Sequence, residues 1–188
     1  TIRGNSLYAN DGLGIDLAGD GLTFNHQGVI DGPNSYQNFP VLTVATSDGG
    51  TTRVGGELDG APDQNYSIDV YANQDCDPSY FGEGRTFIGS IYVTTDANGI
   101  AIFDQTLNSG VVEPRGVSAT ATGEDGTSEF SYCRPVATSN LNWVQAQTIE
   151  SGAAVSQYIS DVYQEKWFKF PVAPGSNVNV TLTSLPGA

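Results

Sequence analysis

Histidine occurs once, at His26, and cysteine twice, at Cys76 and Cys133. A Ser-His-Asp arrangement would have to use His26, which lies in a polar stretch, Thr23-Phe24-Asn25-His26-Gln27-Gly28. No Gly-x-Ser-x-Gly nucleophile elbow is present. Two cysteines with a single histidine do not make a zinc spacing. Methionine is absent and the first residue is Thr1, so we expect a processed chain or a piece of a longer one. No apolar run approaches the roughly 18 residues of a membrane-spanning helix, so membrane insertion is not expected. Basic residues are scarce too: 7 Lys and Arg face 21 Asp and Glu, a net charge of −14. Such a surface repels phosphate backbones and anionic lipid, which excludes nucleic acid as a partner. It suits cations such as Ca²⁺, and it also keeps an extracellular protein soluble with no ligand at all. Charged residues make up only 15% of the chain, against about a quarter in an ordinary globular domain.

The chain has 23 glycines, with Asn, Asp, Ser and Thr throughout. That is the composition of short strands joined by polar turns, and we expect an all-β protein. The clearest strand is Tyr66-Ser67-Ile68-Asp69-Val70-Tyr71-Ala72, whose alternation predicts a half-buried element with Tyr66, Ile68 and Val70 on one face. Further strands are expected over 41–46, 52–58, 86–94, 100–107, 116–123 and 128–133. An Asn98-Gly99 hairpin turn joins the fourth strand to the fifth. Seven short strands in that space fit an immunoglobulin-like sandwich spanning 40–136. Cys76 closes the third strand's stretch and Cys133 closes the seventh. In a secreted-looking β protein this predicts a disulfide; the other reading is two free buried thiols.

Residues 1–39 read differently. Short apolar pairs are separated by Gly and Asn with no helical period, as in the rungs of a parallel β-helix. Ile2-Arg3-Gly4-Asn5 through Gly14-Ile15-Asp16-Leu17, then Gly32-Pro33-Asn34 and Gln37-Asn38-Phe39-Pro40-Val41-Leu42, resemble the last coil of bacterial right-handed β-helix repeat proteins. These are large secreted or surface proteins in which that coil typically precedes an immunoglobulin-like domain. The likeness continues through Cys76-Asp77-Pro78, Phe81-Gly82-Glu83-Gly84 and Thr127-Ser128-Glu129-Phe130-Ser131. The family is defined by architecture, so the resemblance implies an extracellular location and carries no activity. After a polar joint at Ala137-Thr138-Ser139-Asn140, strands are expected over 155–160, 166–170 and 177–182. This part, 137–188, resembles the front half of the bacterial pre-peptidase C-terminal domain, a small β-sandwich, without its closing strands.

Two sets of residues are candidate sites. The acidic turns place Asp11, Asp16, Asp20, Asp31 and Asn34 close in sequence, and Ca²⁺ takes about six to eight oxygen ligands. The alternative is that Asp and Asn simply make the turns. In the long loop, Tyr80 and Phe81 are placed to stack on a sugar face, or to plug the end of the sandwich. Enzymes on parallel β-helices that cleave acidic polysaccharides need bases against the uronate, and residues 1–39 offer only Arg3. We therefore expect no enzyme here, but a structural or adhesive module of a bacterial extracellular or cell-surface protein. Its partners would be the remainder of a longer polypeptide or further copies of itself, as in a filament. The alternative is a carbohydrate-binding accessory domain of a secreted enzyme, with polysaccharide as partner and an exposed platform drawn from Tyr80, Phe81, Tyr92 and Trp143.

Overall fold

Alternation of apolar and small polar residues builds six strands: β1 (Val41–Ser47), β2 (Thr52–Asp59), β3 (Asn65–Asn73), β4 (Thr86–Thr94), β5 (Ile100–Leu107) and β6 (Gly116–Thr122). Two short strands follow, β7 (Arg134–Pro135) and β8 (Ala137–Thr138). A computed structural model describes residues 1–28, 30–111 and 116–138, together with the backbone of strands β9 (Gln147–Thr148) and β10 (Phe168–Lys169). The chain divides into two units, Thr1–Ser139 and Asn140–Ala188. In the second, β9 and β10 pair in parallel. Phe168 and Lys169 fall within the strand expected over 166–170; the strands expected over 155–160 and 177–182 lie outside the described residues. Among the described residues no helix is long and apolar enough to cross a membrane.

The first unit is all-β, with two antiparallel sheets. One has the order β5-β2-β1, with β8 added in parallel at the β1 edge; the other has the order β4-β3-β6-β7. Their facing sides share one core, in which Leu42, Val54, Leu58 and Phe103 of the first sheet meet Ile68, Val70, Ile91, Val117 and Ala119 of the second. β1 carries a bulge between Leu42 and Val44, opposite Gly55 and Gly56. A Cβ on Gly56 would lie 2.3 Å from the Val41 carbonyl oxygen, so only glycine allows this close approach.

Two expectations from the alternation need correcting. The strand β3 is not half-buried, because Tyr66 through Asn73 are all buried. Residues 1–39 lie over the outer face of its sheet, where Ile15 and Leu17 pack with Tyr71 and Phe130, and Leu7 and Tyr36 pack against them. The strand expected over 128–133 is not regular either. Ser128 and Ala121 pair, then Ser131 and Ala119, so three steps on one side match two on the other. The serine hydroxyls complete this broken ladder, Ser128 Oγ accepting from Ala121 N at 2.9 Å and Ser131 Oγ from Ala119 N at 3.0 Å. The extra length places Glu129 and Phe130 in the buried layer beneath residues 1–39. The disulfide joins Cys76 to Cys133, 57 residues apart. It crosses the start of β6, where a Cβ on Gly116 would lie 2.4 Å and 2.6 Å from the two sulfurs.

Candidate functional site

The contact between residues 1–39 and the second sheet forms a polar seam around its apolar centre. Three carboxylates of the sheet and its loops hold it. Asp69, on β3, is 1% exposed. It accepts from Arg3 in a two-pronged arrangement, Nε to Oδ2 at 3.1 Å and Nη2 to Oδ1 at 2.8 Å. Ser90 and Ser67 also donate to Asp69 Oδ1, at 2.7 Å and 3.2 Å. Burial alone pushes the Asp69 carboxyl up, but the hydrogen bonds from Arg3 and Ser90, the Arg3 charge and the Ser67 bond outweigh it and hold the group below its ordinary value. The Arg3 guanidinium is raised in turn, first by its bond to Asp69 and then by one to Tyr92. One residue on, Gly4 N donates to Tyr71 Oη at 3.0 Å.

Glu129 is 2% exposed. It takes backbone N–H groups, accepting from Leu17 N and Thr23 N, both at 2.9 Å. Glu83 does the same at the surface for Ala9 N and Asn10 N, both at 2.7 Å. Leu7 and Gly84 exchange backbone bonds of 2.8 Å, and Thr127 accepts from Ile2 N at 2.8 Å. A chain segment with almost no regular structure must satisfy its buried N–H groups somehow. Here carboxylates do it, and charge-assisted bonds are the stronger kind. His26 belongs to the same stitching: its backbone N–H donates to Asn38 Oδ1 at 3.0 Å, and its ring Nε2 lies 2.9 Å from Tyr36 O.

Of the residues expected to gather around Ca²⁺, Asp16 and Asn34 have hydrogen-bond partners within the protein. Asp16 accepts from Gly19 N at 3.0 Å and Gly21 N at 3.2 Å, closing its own turn. Asn34 turns inward and donates to Thr127 O at 3.0 Å. Among the described residues no group of three or more His, Cys, Asp or Glu side chains is placed to hold a metal ion.

The aromatic loop joins a second aromatic residue that the sequence reading did not single out. Tyr80 and Phe81 are not partners; Tyr80 stacks on Tyr132, with ring centroids 5.7 Å apart and planes 7° from parallel. Both rings face solvent, Tyr80 at 58% exposure and Tyr132 at 47%. Phe81 is half-buried and meets Tyr132, Phe24 and Phe39 edge-on. Composition gave no reason to select Tyr132, yet its position beside Cys133 was a usable signal, since a Cys76–Cys133 bond must bring it near the 77–81 loop. Tyr92 is exposed on β4, at the Arg3 end of the seam. Trp143 lies outside the described residues. No protein-family model matches the chain, and no curated protein matches it.

Proposed function

We propose that the chain is a non-catalytic structural module of a large bacterial extracellular or cell-surface protein. In this reading residues 1–39 are the closing coil of a parallel β-helix, and residues 40–136 are an immunoglobulin-like sandwich on which that coil is fixed. The observation that carries the reading is the use made of the buried carboxylates. Asp69 and Glu129 are withdrawn from solvent and engaged by Arg3 and by backbone N–H groups of the same seam. Groups so engaged act as fasteners between two parts of a chain.

Other features support it. The order β5-β2-β1 opposite β4-β3-β6-β7 fits an immunoglobulin-like arrangement with the fourth strand carried on the β3-β6-β7 sheet. A disulfide suits an oxidising compartment. The net charge of −14 suits a protein that must stay soluble outside the cell. Partners in this reading are neighbouring parts of a longer polypeptide or further copies of the chain.

A turnover screen tests the proposal. The purified chain, incubated with neutral and acidic polysaccharides and with peptide libraries, is expected to give no products above buffer. Reproducible cleavage that disappears in Asp69→Asn or Glu129→Gln, with folding intact, would overturn it.

A further inference from the structure

We infer that Asn65 is the acceptor of an N-linked oligosaccharide, transferred outside the cytoplasm from a polyprenyl-pyrophosphate carrier by an oligosaccharyltransferase. The export this needs rests on the extracellular reading above.

Asn-x-Ser/Thr occurs twice in the chain, at Asn65-Tyr66-Ser67 and Asn179-Val180-Thr181. Only the first has an acid two residues before the asparagine, in Asp63-Gln64-Asn65-Tyr66-Ser67; the second has Asn177 there. Bacterial transferases of this class bind that acid with a basic group and read Asp/Glu-x-Asn-x-Ser/Thr as one unit. With 21 acids among 188 residues, chance places one at that position about once in nine.

The fold presents the acceptor at the surface. Pro62, Asp63, Gln64 and Asn65 are all exposed, on the turn that leads from β2 into β3. The turn is anchored: Gln64 N donates to Thr95 Oγ1 at 3.0 Å and Asp63 N to Asp96 O at 3.2 Å. Asn65 serves the fold through one atom, its Oδ1, which accepts from Thr94 Oγ1 at 2.7 Å. Its Nδ2, the atom that carries the sugar in such a linkage, has no acceptor among the described residues. Asn65 pairs with Thr94 and Ser67 with Tyr92, which puts all four on one face of the sheet. A groove of about 360 Å³ opens there, lined by these four with Tyr66 and Val93. Tyr92 is 77% exposed and stands one diagonal step from Asn65, about 7–8 Å between such positions. The first sugar therefore has space, and an aromatic surface to rest on.

Burial fixes the order of events. Tyr66 and Ser67 are buried, and Ser67 donates to Asp69. The transferase must reach the serine, so transfer precedes the pairing of β3. In the reaction Asn65 Nδ2 attacks C1 of the first sugar. The C1–N bond forms, the bond from C1 to the pyrophosphate oxygen breaks, the carrier leaves as polyprenyl pyrophosphate, and Nδ2 loses one proton.

The test uses the full 188-residue chain, given an export signal. It is produced in bacteria supplied with an acid-requiring oligosaccharyltransferase and a neutral oligosaccharide on undecaprenyl pyrophosphate. Intact mass should show one glycan, and peptide mapping should place it on Asn65 with Asn179 bare. Asn65→Gln should abolish it, and Asp63→Asn should cut the yield at least tenfold. Asparagine is chosen at position 63 because it tolerates the φ of 54° found there. The folded, purified chain given the same enzyme and donor should be modified at least tenfold less. The readout is mass, so the turnover screen can fail while Asn65 is modified, and the reverse. A bare chain in cells that modify a control acceptor would overturn the inference. So would a glycan on Asn179 alone, or full yield in Asp63→Asn. Equal modification of the folded chain would overturn the order of events. A glycosylated chain with no cooperative unfolding transition would count against the site, because the groove would then not accommodate the product.

Discussion

Replacing Cys76 and Cys133 together by serine is expected to lower the stability of the first unit by about 4 kcal/mol. The bond closes a loop of 57 residues, and the loop-closure entropy it removes from the unfolded chain is of that size. At roughly 2–4 °C per kcal/mol for a chain of this length, the midpoint of thermal unfolding should fall by about 10 °C. The local packing points the same way. Cys133 is buried, and both sulfurs lie over Gly116. The serine variant leaves two hydroxyls where the fold had made room for a bridge. Scanning calorimetry of the native protein, the reduced protein and the double serine variant measures the effect. A shift of under about 1 kcal/mol would show that the unfolded chain is already restricted in that loop.

Arg3→Ala is expected to cost about 3 kcal/mol at neutral pH, because it leaves Asp69 buried without its cation. The side of Arg3 that faces water keeps the figure at the lower end of the range for buried pairs. The pH dependence separates this cause from simple loss of packing. Asp69 has a folded-state pKa below the value of about 3.9 that it has unfolded. Its contribution is therefore complete above about pH 4 and is lost as pH falls through the folded value. Asp48, Asp96 and Asp104 are lowered too, the first two mainly by backbone N–H bonds and Asp104 by Arg53, so the native protein should weaken in the same acid window. In Arg3→Ala, burial of Asp69 acts without the arginine to oppose it, and its carboxyl moves up. The gap between variant and native protein should thus be largest near pH 7 and close as pH falls first through the variant's raised Asp69 value and then through the native protein's lowered one. Urea unfolding at a series of pH values checks this, and Arg3→Ala/Asp69→Asn should recover part of the loss at pH 7. A gap independent of pH would mean that Arg3 acts only through its packing.

Much of the sandwich was legible in the sequence. The strand expected over 41–46 is observed as Val41–Ser47, and those over 86–94 and 100–107 match β4 and β5 at both ends. Alternation reports a strand well when one face is wet, as with Arg53 and Glu57 on β2. It fails where both faces are covered, and β3 and β6 are buried nearly end to end because a second layer lies over them. That layer has almost no period of its own. Its fastening depends on Asp69, Glu83 and Glu129, three acids that look like any others among the 21 of the chain. Oxygen-rich loops such as those of Asp16 and Asn34 read equally as cation ligands or as turn-makers, because both roles call on the same side chains. The cysteine pairing was legible because two cysteines allow one pairing. The Tyr80–Tyr132 stack depended on which loop that pairing pulled against which strand end, and local sequence does not carry that information.

Residues 1–39 are an integral layer of the first unit, held by buried carboxylates. Amide hydrogen exchange followed by NMR tests it most directly, at the two backbone N–H groups that donate to Glu129, those of Leu17 and Thr23. If the layer opens only when the sandwich opens, their protection should equal that of Ala119 and Ala121 on β6. Exchange of Leu17 and Thr23 at the rate of an unprotected chain, with Ala119 and Ala121 still protected, would contradict the account.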